Sequence, residues 1–362
     1  GTNDVVDAGA GNNNITISST ANSGQYTSGD GNDIYNIQEG AIGNPTITSG
    51  DGIDKFVVNS SKLTPQSYLH SHYGVSINAN SEGVKTLNLN QGYVRKFDSG
   101  SGDDVITSSE GTSLLSLNTR AGNDTLTLDG DLSGGDLGEG DDTLILSGDS
   151  RDSRVMRSPF YLFGRDGNDT FTISGDRHFF ITNLGNGDDI FDASAATNYY
   201  PSSFTHGESG NDTLIGNDDN NRFSGGSGDD FIDGGNGNNN IYGDAGNDSI
   251  KSGSGNDTLY GGDNDDTLNG GNGNNNIYGD AGNDSIKSGS GDDNLYGGDN
   301  DDTLNAGSGN DTLYGENNDD ILDAGGGNDV IYGGNANSAK GDDGSVDIAV
   351  FSGTSNDYKV SR

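Results

Sequence analysis

The stretch Gly207–Ile215, GESGNDTLI, opens a run of fourteen nine-residue repeats that continues without a gap to Tyr332. The next repeats read GGSGDDFID, GGNGNNNIY, GDAGNDSIK, SGSGNDTLY and GGDNDDTLN in the same register. Their glycines allow a turn with positive φ, and the Asp at the sixth place supplies an oxygen ligand for a hard cation. The apolar residue at the eighth place begins a core. Each repeat therefore predicts a metal-binding turn followed by a short β-strand.

The eighth-place residues form one apolar column through the array. Two repeats make one coil of 18 residues, so alternate repeats are expected to stack into two parallel sheets with this column between them. At a parallel-strand spacing of about 4.8 Å, seven coils span roughly 33 Å. The predicted inward residues are Leu214, Phe223, Ile232, Ile241, Ile250, Leu259, Leu268, Ile277, Ile286, Leu295, Leu304, Leu313, Leu322 and Ile331.

The composition indicates that the chain needs a bound cation to fold. It has 362 residues, with 57 acidic against 17 basic side chains and a net charge of −40. Leu, Ile, Val and Phe account for 69 of the 362 residues, or 19%, which is in the range of disordered chains. A divalent cation would neutralise carboxylates and replace missing apolar burial, so folding and metal binding should be one equilibrium. The acidity argues against nucleic-acid partners and anionic membranes.

The sixth-place residues differ between the two edges of the predicted roll. One edge is entirely acidic and consists of Asp212, Asp230, Asp248, Asp266, Asp284, Asp302 and Asp320. The other edge reads Asn221, Asn239, Asp257, Asn275, Asp293, Asp311 and Asp329. Because neutral Asn lowers the ligand charge on which cation affinity depends, we expect one tight edge and one weaker, partly vacant edge.

The first half of the chain continues only one of these edges. Sixth-place Asp recurs in SGDGNDIYN and in similar segments, mostly one coil of 18 to 23 residues apart, at Asp33, Asp54, Asp104, Asp124, Asp142, Asp169 and Asp189. The return strands between them lack the glycine turn. The gap from Asp54 to Asp104 predicts an unliganded coil and an excursion around Leu63–Gly74, and extra chain is expected around Arg151–Arg157.

The nonads match the pattern G-G-x-G-x-D-x-U-x, and Gly207–Tyr332 resembles the RTX, or haemolysin-type calcium-binding, repeat family. The tail VDIAVFSGTSNDYKV (Val346–Val360) is similar to segments that close such arrays. The resemblance implies multiple Ca²⁺ ions held by Asp and backbone carbonyl groups, type I secretion and an extracellular or cell-surface location. Because the family includes toxins, proteases, lipases, adhesins and surface-layer proteins, it does not define the function.

The predicted fold is an all-β, right-handed parallel β-helix running into a β-roll, with calcium in the turns. Three segments are expected. They are a one-sided β-helix over 1–206, the roll of fourteen nonapeptides over 207–332 and a C-terminal cap over 333–362. Because Gly1 already stands inside the repeat phase, the chain is interpreted as a fragment or a processed product.

The sequence lacks the signatures of the family's enzymes. H-E-x-x-H and G-x-S-x-G are absent, and there is no cysteine to act as a nucleophile. We therefore expect no enzymatic activity and no catalytic residues.

Two sets of residues are candidate interaction surfaces. Ninth-place tyrosines recur every 18 residues and should form an outward ladder, either stabilising adjacent strands or contacting a partner, at Tyr242, Tyr260, Tyr278, Tyr296, Tyr314 and Tyr332. In the first half, Arg157 and Arg177 share one position relative to the next Asp, and Phe160 and Phe180 share another. These four residues are expected to pack in the core or to contact a protein, with glycan binding and then catalysis as the less favoured alternatives.

Together these features favour a calcium-binding extracellular structural protein of a surface layer, sheath, filament or large adhesin. Its expected partners are further copies of itself, other cell-surface components or a polysaccharide, with no nucleic acid and no membrane insertion. The alternatives are the C-terminal secretion and folding module of a larger exoenzyme or toxin, and a glycan-binding module.

Overall fold

The computed structural model describes residues 4–18, 24–38, 45–59, 75–79, 82–148, 160–176, 180–197, 203–334, 347–350 and 358–360. Every regular element in these segments is a β-strand. The chain divides into two compact units, Gly1–Gly185 and Asn186–Arg362. This division falls earlier than the boundary at residue 206 that the repeat pattern predicts. Among the described residues, no helix has the length and hydrophobicity needed to span a membrane.

The first unit contains strands β1 to β19. In chain order they are β1 (Val5–Asp7), β2 (Asn14–Ile17), β3 (Gln25–Thr27), β4 (Ile34–Ile37), β5 (Thr46–Thr48), β6 (Asp54–Asn59), β7 (Val75–Ala79), β8 (Lys85–Gln91), β9 (Tyr93–Ser99), β10 (Val105–Ser108), β11 (Ser113–Leu114), β12 (Leu117–Asn118), β13 (Thr125–Leu128), β14 (Asp131–Leu132), β15 (Gly135–Glu139), β16 (Thr143–Leu146), β17 (Phe160–Asp166), β18 (Thr170–Asp176) and β19 (Phe180–Asn186).

Strands that follow the sixth-place residues form one parallel sheet of the first unit, with β2, β4, β6, β8, β10, β13, β16 and β18 paired in that order. The return strands β1, β3, β5, β7 and β9 begin a second parallel sheet, which continues through β11 and β12 to β14, β15 and β17. The core between the two sheets includes aromatic rings: the Tyr35 and Phe56 centroids are 5.2 Å apart and stacked, and Phe97 lies edge-on to Phe56 at 6.0 Å.

The second unit contains strands β20 to β37. They are β20 (Ile190–Thr197), β21 (Phe204–Ser209), β22 (Thr213–Ile215), β23 (Arg222–Ser227), β24 (Phe231–Asp233), β25 (Asn240–Ala245), β26 (Ser249–Lys251), β27 (Thr258–Asp263), β28 (Thr267–Asn269), β29 (Asn276–Ala281), β30 (Ser285–Lys287), β31 (Asn294–Asp299), β32 (Thr303–Asn305), β33 (Thr312–Glu316), β34 (Ile321–Asp323), β35 (Asp329–Gly334), β36 (Ile348–Val350) and β37 (Tyr358–Val360).

The repeat array stacks with a constant register. Even-numbered strands form one parallel sheet and odd-numbered strands the other, and residue i pairs with residue i + 18, as in Ile250↔Leu268 and Leu259↔Ile277. All fourteen predicted inward residues from Leu214 to Ile331 are buried, with exposed fractions of 0–5%. The predicted all-β parallel solenoid is confirmed. The predicted excursions around Leu63–Gly74 and Arg151–Arg157 lie outside the described residues.

Candidate calcium sites

The Asp side chains of the tight edge form a hydrogen-bonded ladder along the second unit. All seven, from Asp212 to Asp320, are buried. One carboxylate oxygen, Oδ1, accepts the backbone N–H of the equivalent Asp one coil earlier, at 2.7–2.9 Å from Asp230 to Asp320. The ladder fixes each carboxylate, because one of its oxygens is anchored to a neighbouring strand.

The second carboxylate oxygen, Oδ2, faces a small space that only glycine leaves open. A Cβ atom at Gly243 would collide with Asp248 Oδ2 and with the carbonyl oxygen of Gly261 in the next coil. The same two kinds of oxygen meet at the first-place glycines Gly207, Gly225, Gly261, Gly279, Gly297 and Gly315. A carboxylate and a carbonyl oxygen therefore converge at every coil of this edge, which is the donor set that Ca²⁺ prefers.

These Oδ2 atoms need a positively charged partner. Within the described segments, the Oδ2 atoms of Asp212, Asp230, Asp248, Asp266, Asp284 and Asp302 are buried and accept no hydrogen bond. A buried acceptor with no donor costs about 1–3 kcal/mol, and more when it is charged. Six such atoms in one column exceed what a marginally stable fold tolerates, so the column fits a series of bound calcium ions.

The Asn residues of the other edge reveal which carbonyl groups complete each site. Asn221 Nδ2 donates to the carbonyl oxygens of Asn217 at 3.0 Å, Asp219 at 2.6 Å and Gly234 at 2.8 Å. These residues hold the second and fourth places of the same repeat and the first place of the next coil. Asn239 Nδ2 donates to the corresponding fourth-place and first-place carbonyls, of Gly237 and Ser252, both at 3.2 Å. The Asn amides thus satisfy carbonyl groups that a cation would otherwise bind, which supports the prediction of a weaker edge.

The four Asp residues at the sixth place of that edge are placed alike. Asp257, Asp293, Asp311 and Asp329 are buried, and their Oδ1 atoms accept backbone N–H groups of Asn239, Asn275, Asp293 and Asp311 at 2.7–3.0 Å. This edge therefore combines carboxylates with amides in one ladder.

In the first unit, the predicted ligands Asp33, Asp104, Asp124, Asp142 and Asp169 are also buried on one ladder. At Gly164 a Cβ atom would collide with Asp169 Oδ2 and with the carbonyl oxygen of Leu184, which repeats the arrangement of the array. Asp189, at the start of the second unit, is buried and donates its N–H to Asp212 Oδ1 at 2.8 Å. Each of these predicted residues is therefore a buried sixth-place Asp in the same hydrogen-bonded arrangement as the Asp residues of the array.

Asp54 is the exception, and here the predicted calcium ligand does not fit. Its Oδ2 is bound at 3.0 Å by the ammonium group of Lys85, and both side chains are fully buried. Lys85 was not predicted because the Asp that marks the other turns is absent there, although GVKTLNL (Gly83–Leu89) keeps the repeat phase. The predicted unliganded coil between Asp54 and Asp104 is this coil.

Two further residues in sixth-place positions were not predicted. Asn13 donates Nδ2 to the carbonyl oxygens of Gly9 at 3.0 Å and Gly11 at 2.6 Å, as Asn221 does in the array. Asp347 Oδ1 accepts the N–H of Asp320 at 3.3 Å and so extends the tight edge by one coil. The signal for Asp347 is its place before the alternating Ile348–Val350, which pairs with β34.

The described residues contain no group of three or more His, Cys, Asp or Glu side chains that converge on one point. Each site instead combines one carboxylate with backbone carbonyl oxygens. Ca²⁺ takes six to eight oxygen ligands, carbonyls included, whereas zinc and similar metals favour nitrogen and sulfur. The donor chemistry therefore selects calcium.

Burial raises the pKa of six tight-edge carboxyl groups, from Asp212 to Asp302, and the charges of neighbouring Asp residues raise it further. The pKa is raised to about 8 for Asp266 and Asp302 and to about 7 for Asp230. Near neutral pH and without a cation, a carboxyl group with such a pKa binds a proton in a large fraction of molecules. Calcium binding near neutral pH should therefore displace protons.

This competition predicts the pH dependence of the calcium-free protein. Because the folded-state pKa values of about 6 to 8 lie above the ordinary value of 3.8, the calcium-free fold binds more protons than the unfolded chain. Its free energy of unfolding should be largest below pH 3.8 and fall as the pH rises towards 8. In chelator, far-ultraviolet circular dichroism should show more β-structure at about pH 5 than at about pH 8. Equal signals at both values would contradict this explanation.

The tyrosine ladder is present as predicted. From Tyr242 to Tyr332, successive rings stack with centroids 4.7–4.9 Å apart and interplanar angles of 1–8°. All six side chains are half-buried on the outer face of the odd-numbered strands. Arg157 and Arg177 lie outside the described residues, as do the side chains of Phe160 and Phe180, so the predicted stacking of these four residues stays a prediction.

The family model of the RTX calcium-binding nonapeptide repeat matches the sequence over residues 206–338, in overlapping segments of four repeats each. No curated protein shows significant sequence similarity to the chain. The matched residues contain the whole array of convergent carboxylate and carbonyl oxygens. Residues 206–338 therefore belong to the RTX calcium-binding repeat family, and this protein binds multiple Ca²⁺ ions.

Proposed function

We propose that the chain is a secreted, non-enzymatic structural protein that folds on calcium and then associates through its tyrosine ladder. A surface layer, sheath, filament or large adhesin is the setting that suits it. The observation that carries the proposal is the ladder itself. Six half-exposed aromatic rings in one unbroken stack are a large, rigid surface of the kind that protein interfaces use.

The two outer faces of the array differ in chemistry. A groove on the tyrosine face is lined by Tyr278 and Tyr296 together with the acidic residues Asp280, Asp299 and Glu316. The corresponding face of the other sheet is mostly polar, although Phe231 and Ile321 are exposed on it, and there Lys251 Nζ pairs with Asp233 at 2.8 Å. An array with one aromatic face and one mostly polar face is suited to directional contact with further copies or with other surface components.

Calcium would restrict this association to the outside of the cell. RTX proteins are typically exported by type I secretion, and external calcium is far higher than cytosolic calcium. The column of buried Asp residues disfavours the folded array until calcium arrives, so the tyrosine face would form only after export.

Sedimentation velocity across a calcium titration, starting from chelated protein, tests this function. We expect collapse to a compact monomer, followed by large assemblies that a chelator reverses. Collapse to a monomer with nothing larger at any calcium concentration would contradict the proposal. It would favour the alternative role as a secretion and folding module of a larger exoenzyme or toxin.

Changing Tyr260, Tyr278 and Tyr296 to Ser should abolish these assemblies and leave a folded monomer at saturating calcium. The change removes four of the five stacked ring pairs, at a cost of about 0.5–1.5 kcal/mol each, and leaves the buried column intact. Circular dichroism reports the fold and sedimentation reports the assembly.

The matched control changes Lys251, Asn269 and Lys287 to Ser on the opposite sheet, where assembly should be unaffected. If the tyrosine variant stays unfolded at saturating calcium, the ladder has a purely structural role. If it assembles like the control, another surface mediates association.

A further inference from the structure

One coil of the first unit places a positive charge of its own where the Asp turns of the array are suited to calcium. Lys85 occupies the sixth place, and its strand β8 pairs with β6 so that Lys85 lies beside Asp54. Its backbone keeps the ladder, because the Lys85 N–H donates to Asp104 Oδ1. Its side chain points back into the turn that precedes Asp54, and none of it is exposed.

The ammonium group lies among oxygens that hold the same repeat places as those of the calcium sites in the array. Lys85 Nζ donates to Asp54 Oδ2 at 3.0 Å, to the Gly52 carbonyl at 2.9 Å and to the Gly50 carbonyl at 3.2 Å. A longer contact of 3.4 Å reaches the Glu82 carbonyl in the next coil. Gly50 and Gly52 hold the second and fourth places, whose carbonyl groups bind the amides of Asn13 and Asn221 elsewhere.

The preceding coil provides an internal comparison. Its turn Ser28–Asp33, SGDGND, differs at one position from Ser49–Asp54, SGDGID. In the first turn Asp33 Oδ2 is buried and accepts no hydrogen bond within the described residues, whereas Asp54 Oδ2 is bound by Lys85. Two nearly identical turns thus differ in whether the next coil supplies a cation.

We propose that the Lys85 ammonium is a permanent substitute for calcium, so the turn at Asp54 binds no metal ion even at saturating calcium. The coil formed by β6 and β8 is then held by the chain's own charge. Its pairing does not depend on the calcium concentration that the neighbouring Asp turns require. The inference concerns the calcium sites and does not depend on the proposed assembly.

Counting bound calcium tests the substitution directly. Lys85→Ala opens the cluster of Gly50, Gly52, Glu82 and Asp54 oxygens, and we expect native mass spectrometry to show one more calcium ion per molecule than in the unaltered protein. Lys55→Ala, which removes an exposed lysine from the same strand pair, should leave the count unchanged. Lys85→Asp, which restores the usual sixth-place residue, provides a second variant if Lys85→Ala does not fold.

Acetylation of the unaltered protein provides a readout that needs no variant. At saturating calcium, Lys85 should react at least about tenfold more slowly than Lys55, because a buried amine is modified only when the structure opens locally. Equal rates would mean that calcium displaces the ammonium group, and the proposal would be overturned. A folded Lys85→Ala or Lys85→Asp protein with no additional calcium ion would overturn it as well.

Discussion

Removal of calcium will unfold the repeat array Gly207–Tyr332. The tight edge carries seven buried Asp residues on coils that are 4.7–4.9 Å apart, as the tyrosine rings show. At that spacing and an effective dielectric constant near 20, each neighbouring pair of carboxylates repels by about 3.5 kcal/mol. Six such pairs exceed the 5–15 kcal/mol by which folded domains are typically stable. The ionised column therefore cannot persist without cations.

A chelator titration followed by circular dichroism and small-angle scattering measures this unfolding. The β-signal should vanish and the radius of gyration should increase, and both changes should reverse when calcium returns. Equimolar Mg²⁺ is the matched control, because it demands near-octahedral geometry and loses its water reluctantly. Magnesium should not restore the fold at concentrations where calcium does. A compact β-structure that survives complete chelation near pH 8 would contradict the account of the site.

The second large effect separates two contributions to the stability of the array: that of bound calcium and that of the hydrogen bonds between sixth-place residues. Asp266→Ala should destabilise the calcium-loaded array more than Asn275→Ala. Both changes leave one buried N–H without its acceptor, that of Asp248 in the first and that of Asp257 in the second. Only the change at Asp266 also removes a predicted calcium ligand. For a site filled at a calcium concentration of 100 Kd, losing it costs about 2.7 kcal/mol more.

Denaturant unfolding at several calcium concentrations measures the difference between the two variants. The gap should widen as calcium rises, since the contribution of a bound ligand grows with its concentration. Asp266→Asn is the informative control. Its amide can donate to the carbonyl groups as Asn221 does, so it should lose the calcium ion and still be more stable than Asp266→Ala. Equal losses for Asp266→Ala and Asn275→Ala at every calcium concentration would rule out the difference between the edges.

The array was predictable because its period is constant. A residue at the eighth place of every nonad has one possible environment once two nonads form a coil, so the buried column and the tyrosine ladder could be assigned residue by residue. The register of 18 then determines which Asp residues share an edge. Periodicity also identified the coils of the first unit wherever glycine and Asp recur together.

The sites that were not predicted either lack the usual sixth-place Asp or lie beyond a break in the period. Lys85 and Asn13 supply N–H donors in place of calcium, so the Asp that identifies a turn is missing. Asp347 lies 27 residues after Asp320, beyond a break in the period. The half-buried state of the tyrosines depends on ring-to-ring contact, which a pattern of positions does not determine. The contacts of Lys85, of Asn13 and of the tyrosine rings therefore depend on neighbours in three dimensions, which the spacing of residues alone does not give.

The constant register of the array also bears on how the protein changes length during evolution. The blocks Gly234–Asn269 and Gly270–Asn305 are each 36 residues long and differ only at Asn256/Asp292 and Thr258/Asn294. Gain or loss of one block by unequal recombination adds or removes two whole coils, about 9.6 Å. Every Asp, carbonyl group and ring then meets the same kind of neighbour as before. The length of the array can therefore change during evolution in fixed steps, without any new interface having to evolve.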